Sequence, residues 1–135
     1  MFSLFRRKPN QQSRANGRVP DGQLVVAVGD VHGRLDLLEK LWTKIEVAAK
    51  ASAARERTLV FVGDYVDRGL QSRQVIDRLL AGFAGFTPVF LKGNHDETLL
   101  QFLADPQIGE IWRNFGGLET LRSYGVQHKD RKSVV

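Results

Sequence analysis

Three short loops of the sequence carry side chains that could bind metal ions, grip phosphate and move a proton. They read GDVHG at residues 29–33, GDYVDRG at residues 63–69 and GNHD at residues 93–96. Carboxylate oxygens, amide oxygens and imidazole nitrogens suit divalent cations, and a guanidinium fork suits phosphate oxygens. The side chains of interest are Asp30, His32, Asp64, Asp67, Arg68, Asn94 and His95. Their types together predict metal-dependent chemistry on a phosphate group.

The elements that flank these loops predict how the side chains come together. Each loop follows an apolar run of strand length, at residues 24–28, 58–62 and 87–91. After each loop a helical pattern begins, near residues 35, 72 and 96, and shorter helical segments are predicted at residues 108–114 and 118–124. This repeated β-loop-α order predicts an α/β fold with a mostly parallel sheet. The loops then lie beyond the carboxyl ends of the strands, where open α/β sheets bind ligands.

Four of these residues have the types and spacing of ligands to a pair of metal ions. Such a site needs oxygen and imidazole ligands, with one carboxylate that bridges both cations. Asp30 and His32 are two residues apart, so a bent loop presents both to one cation. Asp64 arrives from the neighbouring strand end as the natural bridge, and Asn94 offers an amide oxygen to the second cation. His95 is then a candidate general acid, a role typically worth about 10²–10⁴-fold in rate.

The three motifs resemble those of the calcineurin-like metallophosphoesterases, in particular the bacterial members of the phosphoprotein phosphatase branch. The resemblance covers about residues 25–125. It implies that Asp30, His32 and Asp64 bind one metal ion, and that Asp64 and Asn94 bind the other. It therefore implies two divalent cations. Manganese is our first choice, and iron, zinc, cobalt and magnesium suit the same ligands.

The same resemblance assigns three catalytic residues and an activity. His95 is the general acid, Asp67 fixes and stabilises its imidazole, and Arg68 grips phosphate oxygens. The implied enzyme is a serine/threonine phosphatase that hydrolyses phosphomonoesters by attack of a metal-activated hydroxide. Its substrate would be a phosphoprotein or a phosphorylated small molecule, and its expected location is cytoplasmic.

One departure from the family pattern keeps a second substrate class open. Asp96 follows His95, where phosphoprotein phosphatases more often have glutamate. Aspartate is common there in the wider superfamily, which includes dinucleoside-tetraphosphate hydrolases. Those hydrolases usually lack the residue that corresponds to Asp67, which favours the protein phosphatases.

The resemblance also implies parts that this sequence does not contain. Family members carry two further histidines for the second metal and a second layer of strands, and His128 cannot supply both ligands. We therefore expect the chain to be the N-terminal half of one metallophosphoesterase α/β sandwich. It would bind one cation weakly, and it could be a catalytically inactive fragment. A sheet without its partner layer also exposes apolar surface, so we expect self-association through that sheet.

Composition and charge exclude several other kinds of site and partner. The chain has 135 residues and no cysteine, which excludes disulfides and cysteine nucleophiles, and no apolar run approaches a membrane span. Its net charge of +5 equals the five basic residues of the first 18, where no acid occurs. The rest is neutral, so we expect no nucleic-acid partner. We divide the chain into a flexible basic arm at residues 1–22, a truncated metallophosphoesterase domain at residues 23–125 and a polar tail at residues 126–135.

Several further residues carry structural expectations. Trp112, Phe115 and Tyr124 are predicted to pack in the interior, with substrate contact by their segment as the alternative. Ser72 is predicted to cap the second helix. The motif glycines are expected to let the backbone approach the ligand closely, without interference from a Cβ atom. These glycines are Gly29, Gly33, Gly63, Gly69 and Gly93.

Overall fold

A three-stranded parallel sheet positions the three motif loops. The computed structural model describes residues 17–126. The strands lie in chain order, and they are β1 (Gln23–Val28), β2 (Glu56–Phe61) and β3 (Thr87–Phe90). Their register aligns the last residues, because Val28 pairs with Phe61 and Phe61 pairs with Phe90. All three loops therefore leave the sheet at one edge, and the predicted α/β fold is confirmed.

Within residues 17–126, five α-helices follow the strands in the order that the sequence pattern predicts. They are α1 (Leu35–Ala51), α2 (Ser72–Leu80), α3 (Asn94–Ala104), α4 (Gly109–Trp112) and α5 (Leu118–Ser123). Helix α3 begins two residues earlier than predicted, because the Asp96 side chain accepts a hydrogen bond from the N–H of Gly93. Asn94 and His95 therefore lie in its first turn. Between α4 and α5, Gly116 adopts a φ of 104° and kinks the chain.

Helices α1 and α2 cover the same face of the sheet. The core joins Val28, Leu59 and Phe61 of the strands to residues of both helices, including Trp42 and Val75. Two successive right-handed crossovers between strands in chain order place both helices on one side.

The opposite face of the sheet stays uncovered in the part of the chain that the structure describes. Val25 and Val89 point to that side and remain 42% and 40% exposed. This open apolar face agrees with the expectation that a sheet without its partner layer exposes apolar surface.

Two of the three aromatic side chains that were predicted to pack are exposed. Trp112 is fully buried, but Phe115 is 61% exposed and Tyr124 is 46% exposed. Phe115 directly precedes the kink at Gly116, in the segment between α4 and α5. The packing prediction is therefore confirmed for Trp112 alone.

Both ends of the sequence lie largely outside the described residues. Residues 17–22 are exposed, and Arg18 pairs with Asp21 at 3.1 Å. Residues 1–16 and 127–135 are not described, so the basic arm, the polar tail and His128 stay predictions. Among the described helices, none is both long and apolar enough to cross a bilayer.

Candidate active site

Backbone hydrogen bonds join the first motif loop to the second. The carbonyl oxygen of Asp64 accepts from the N–H groups of Val31 and His32 at 3.0 and 2.9 Å. One residue further on, the N–H of Gly33 donates to the carbonyl of Tyr65 at 2.9 Å. These bonds fix the distance between the two loops and so place their acidic side chains side by side.

The side chain of Asp96 joins the third loop to the second. Its carboxylate accepts from the backbone N–H groups of Gly93, Asp64 and Tyr65, at 2.9, 2.7 and 2.9 Å. In the other direction, Asp64 Oδ1 accepts from the N–H of His95 at 2.9 Å. Sequence reasoning treated Asp96 only as a departure from a family pattern and missed this positioning role.

Glycine at four motif positions permits close contact between the loops themselves. A Cβ atom added to Gly63 would overlap the backbone of Gly93, and one added to Gly69 would overlap the carbonyl of His32. Gly33 and Gly93 are similarly crowded by Gly69 and Asp64. A Cβ at Gly29 would meet no atom within 4 Å. The contact that these glycines allow is thus between loops, and Gly29 differs from the others.

Four non-glycine residues of the first two loops adopt left-handed backbone conformations. His32, Asp64, Asp67 and Arg68 have φ values of 44°, 54°, 73° and 67°. Each such residue costs on the order of 1–3 kcal/mol and persists only where its surroundings hold it. The hydrogen bonds that Asp64 makes from both its carbonyl and its N–H supply that constraint. Local strain of this kind is concentrated at functional sites.

Three of the four predicted metal ligands meet at the sheet edge. Ligand atoms of Asp30, His32 and Asp64 all lie within 4.8 Å of one another. His32 Nδ1 donates to the carbonyl of Val66 at 2.9 Å, which leaves the lone pair of Nε2 free. That nitrogen lies 3.7 Å from Asp30 Oδ2. Two carboxylates and one imidazole with its tautomer fixed are a donor set that fits a divalent cation.

Asn94 lies beside this group in the first turn of α3. It is exposed, and it lines a cavity of about 170 Å³ together with His95, Thr98, Trp112 and Phe115. The structure thus brings Asn94 to the same edge of the sheet. Its role at a second cation stays a prediction.

The predicted acid and its partner form a buried pair next to the metal group. His95 is 6% exposed, and its Nδ1 donates to Asp67 Oδ2 at 2.8 Å. Arg68 Nη2 donates to the other ring nitrogen, Nε2, at 3.1 Å. The rings of His95 and His32 meet edge to face with their centroids 4.7 Å apart. All three predicted catalytic side chains therefore lie together, with Arg68 resting on the imidazole.

Asp67 is held by side chains from a distant part of the sequence. It is fully buried, and its carboxylate accepts from Thr120 Oγ1 at 2.7 Å and from Trp112 Nε1 at 2.8 Å. Thr120 Oγ1 also accepts from the backbone N–H of Asp67 at 2.8 Å. Sequence reasoning missed Thr120 and favoured packing over substrate contact for Trp112, because no local pattern marks the contact of either residue with Asp67.

Ser72 belongs to the same buried cluster, so its predicted capping role is wrong. Gln71 occupies the N-cap position of α2, and Ser72 is the first helical residue. The Ser72 hydroxyl accepts from the N–H of Asp67 at 3.2 Å and lies 3.0 Å from Thr120 Oγ1. Because the Thr120 proton goes to the Asp67 carboxylate, Ser72 donates in the contact with Thr120.

A hydrogen bond from Tyr65 connects the second motif loop to the residue that follows β3. Its hydroxyl donates to the carbonyl of Leu91 at 2.6 Å. Burial, with a smaller contribution from the charge of Asp96, raises the pKa of Tyr65 to about 12. The phenol therefore stays protonated and keeps this hydrogen bond at physiological pH.

Comparison with known proteins connects this geometry to one family and two kinds of relative. A bis(5'-nucleosyl)-tetraphosphatase PrpE [asymmetrical] of Oceanobacillus iheyensis is 34% identical over 80% of this chain and 43% of its own length. The protein of the same name from Anoxybacillus flavithermus is 33% identical over 69% of this chain and 38% of its own. The serine/threonine-protein phosphatase rdgC of Drosophila melanogaster is 35% identical over 58% of this chain and 11% of its own.

The chain thus spans about two fifths of the length of the tetraphosphatase relatives. The family model for calcineurin-like phosphoesterases matches residues 24–133, which include all three motif loops. The chain belongs to the calcineurin-like phosphoesterase family.

Proposed function

We propose that this chain carries the nucleophile-activating and proton-donating half of a metal-dependent phosphoesterase. The observation that supports this most directly is the contact between two groups of side chains. The carboxylates and imidazole of Asp30, His32 and Asp64 lie against the buried pair of His95 and Asp67, with the two histidine rings 4.7 Å apart. The first group can bind a divalent cation, and the second can donate a proton to the leaving oxygen.

We assign Asp30, His32 and Asp64 to one divalent cation, with Asp64 and Asn94 toward a second. Divalent cations bound in such a site activate water and neutralise charge on the phosphoryl oxygens. Manganese is our first choice of metal, and the ligand types equally accept iron, zinc, cobalt or magnesium.

In this proposal Arg68 leaves His95 and binds the phosphate of the substrate. In the structure the guanidinium donates to His95 Nε2, which therefore carries no proton. When a phosphate enters, the exposed Arg68 turns to its oxygens, where a planar fork makes two parallel hydrogen bonds. Nε2 is then free to take up a proton from water, and His95 gives that proton to the leaving oxygen. Asp67 holds the opposite nitrogen and thereby keeps the ring oriented.

Two substrate classes have support. Phosphoserine or phosphothreonine is supported by Asp67 in the second motif and by the Drosophila relative, which is named a serine/threonine phosphatase. A dinucleoside tetraphosphate is supported by the PrpE relatives, whose matches extend over more of this chain. The exposed ring of Phe115 beside His95 offers a surface on which a nucleobase could stack.

The test of the activity is hydrolysis of p-nitrophenyl phosphate by the full chain with Mn²⁺. We expect turnover in the wild type and its loss in Asp64→Asn, which keeps the shape of the side chain but removes its charge. Asp77→Asn is the matched control, since Asp77 is an exposed partner of Arg73 on α2. Absence of turnover in folded wild-type protein would favour the alternative of an inactive chain that retains the motifs. Comparing a phosphopeptide with diadenosine tetraphosphate then separates the substrate classes.

A further inference from the structure

We propose that Trp112 and Thr120 are positioning residues for the acid step, because they fix the carboxylate that orients His95. The inference rests on the proposed function, in which His95 is the general acid. It concerns two residues outside the three motif loops, on the helical segment that follows α3.

The geometry around Asp67 leaves its carboxylate no freedom to turn. Oδ2 accepts from both His95 Nδ1 and Trp112 Nε1, each at 2.8 Å. Oδ1 accepts from Thr120 Oγ1 at 2.7 Å. Trp112 and Thr120 therefore hold the two oxygens, and the plane of the carboxylate is fixed by donors that are not His95.

Burial makes these donors necessary. Asp67 and Trp112 are fully buried, and Thr120 is 1% exposed. A buried carboxylate that lacks hydrogen-bond donors is strongly disfavoured, and water cannot replace a missing donor in a packed site. Removing either group would let the carboxylate turn away from His95 Nδ1 and would loosen the orientation of the ring.

The backbone of the segment is shaped to deliver these side chains. A Cβ atom on Gly117 would overlap the indole ring of Trp112, and one on Gly116 would meet the backbone of Arg68. The carbonyl of Gly116 also accepts from the N–H of Arg68 at 3.1 Å. The Gly116-Gly117 pair thus allows α4 and α5 to approach the second motif loop closely enough for Trp112 to reach Asp67.

The first experiment measures how fast Trp112→Phe and Thr120→Val hydrolyse two substrates that differ in their leaving group. An alkyl phosphate such as phosphoserine needs a proton on its leaving oxygen, whereas p-nitrophenolate leaves without one. We expect kcat to fall by about tenfold or more for phosphoserine, part of the 10²–10⁴-fold that general acid catalysis supplies. For p-nitrophenyl phosphate we expect a much smaller fall. KM should stay unchanged for both substrates, because neither residue grips phosphate in this proposal.

Three variants serve as controls for effects on folding alone. Trp42→Phe makes the same change in the core beneath α1, away from Asp67. Thr43→Val removes a hydroxyl that donates to the carbonyl of Glu39 within α1. Thr120→Ser keeps the hydroxyl and is expected to restore the activity that Thr120→Val loses.

A second measurement tests the inference and does not require enzymatic turnover. We expect the His95 Nδ1 proton to give a downfield NMR resonance that exchanges slowly with water, because it is buried against Asp67. Its exchange should be faster in Trp112→Phe and Thr120→Val, and unchanged in Trp42→Phe. If the wild type shows no turnover, the proposed function fails and this measurement alone tests the positioning role. Equal losses of kcat for both leaving groups, or unchanged exchange of this proton, would overturn the inference.

Discussion

The carboxylate of Asp96 accepts a hydrogen bond from the backbone N–H of Asp64, with 2.7 Å between Asp96 Oδ2 and that nitrogen. The same carboxylate also holds Gly93 and Tyr65, so one side chain connects two motif loops. Asp64 has a φ of 54°, a conformation that its neighbours must maintain. Asp96 therefore holds the backbone of the proposed bridging ligand in place, with both carboxylate oxygens engaged by backbone N–H groups.

Asp96→Ala is expected to weaken binding of Mn²⁺ by roughly 10–100-fold, the usual cost of losing a group that orients a metal ligand. Asp105→Ala is the matched control, since Asp105 likewise accepts a backbone N–H, that of Gln107 at 3.0 Å, but lies outside the site. Titration calorimetry on both variants and the wild type measures the effect. Equal affinities in wild type and Asp96→Ala would contradict it. Two tight sites in the wild-type monomer would contradict the expectation of one weakly bound cation.

Gly63→Ala is expected to destabilise the fold by at least about 2 kcal/mol, since strain and overpacking each cost roughly 1–3 kcal/mol. Gly63 has a φ of 108°, and an added Cβ would overlap the backbone of Gly93. Gly29→Ala, in the first motif, should change the free energy of unfolding by less than about 0.5 kcal/mol, because its Cβ would meet no atom within 4 Å. Urea unfolding of the two variants gives the comparison. Similar midpoints would show that the loops do not need this close contact.

Phe115→Ala is expected to raise KM for aryl phosphates several-fold while leaving stability nearly unchanged. The ring is 61% exposed and lines the cavity beside His95, so it can contact a leaving group but contributes little to the core. Leu103→Ala removes a side chain that is 69% exposed and does not line this cavity. Steady-state kinetics with both variants tests the role. A loss of stability in Phe115→Ala would instead support the packing role expected from the sequence.

Val89→Lys is expected to weaken self-association of the chain. Val25 and Val89 lie on the sheet face that α1 and α2 leave open, and a charge there opposes burial against a second copy. Leu80→Lys is the control, because Leu80 is 81% exposed on α2, which lies over the other face of the sheet. Sedimentation velocity over a range of concentrations reports the change. A wild type that stays monomeric throughout would contradict the prediction of self-association.

Local sequence patterns were sufficient to predict the fold and the positions of the three motif loops. Apolar runs of strand length and helical spacing specify β-loop-α units, and parallel pairing then aligns the strand ends without further information. That is why Asp30, His32 and Asp64 could be placed together from the sequence. The family resemblance, and not these local patterns, paired His95 with Asp67, and their 2.8 Å contact is present.

The sequence by itself therefore determined the architecture, the three loops and the side chains that meet at the sheet edge. Only the tertiary structure decided that Trp112 and Thr120, 45 and 53 residues away in the chain, hold Asp67. It also decided that Phe115 is exposed while Trp112 is buried. Periodicity and motif spacing predict which helix, strand or loop a residue belongs to and which side of that element it occupies. A hydrogen bond between distant segments depends on how elements pack, and no local pattern of residues encodes that arrangement.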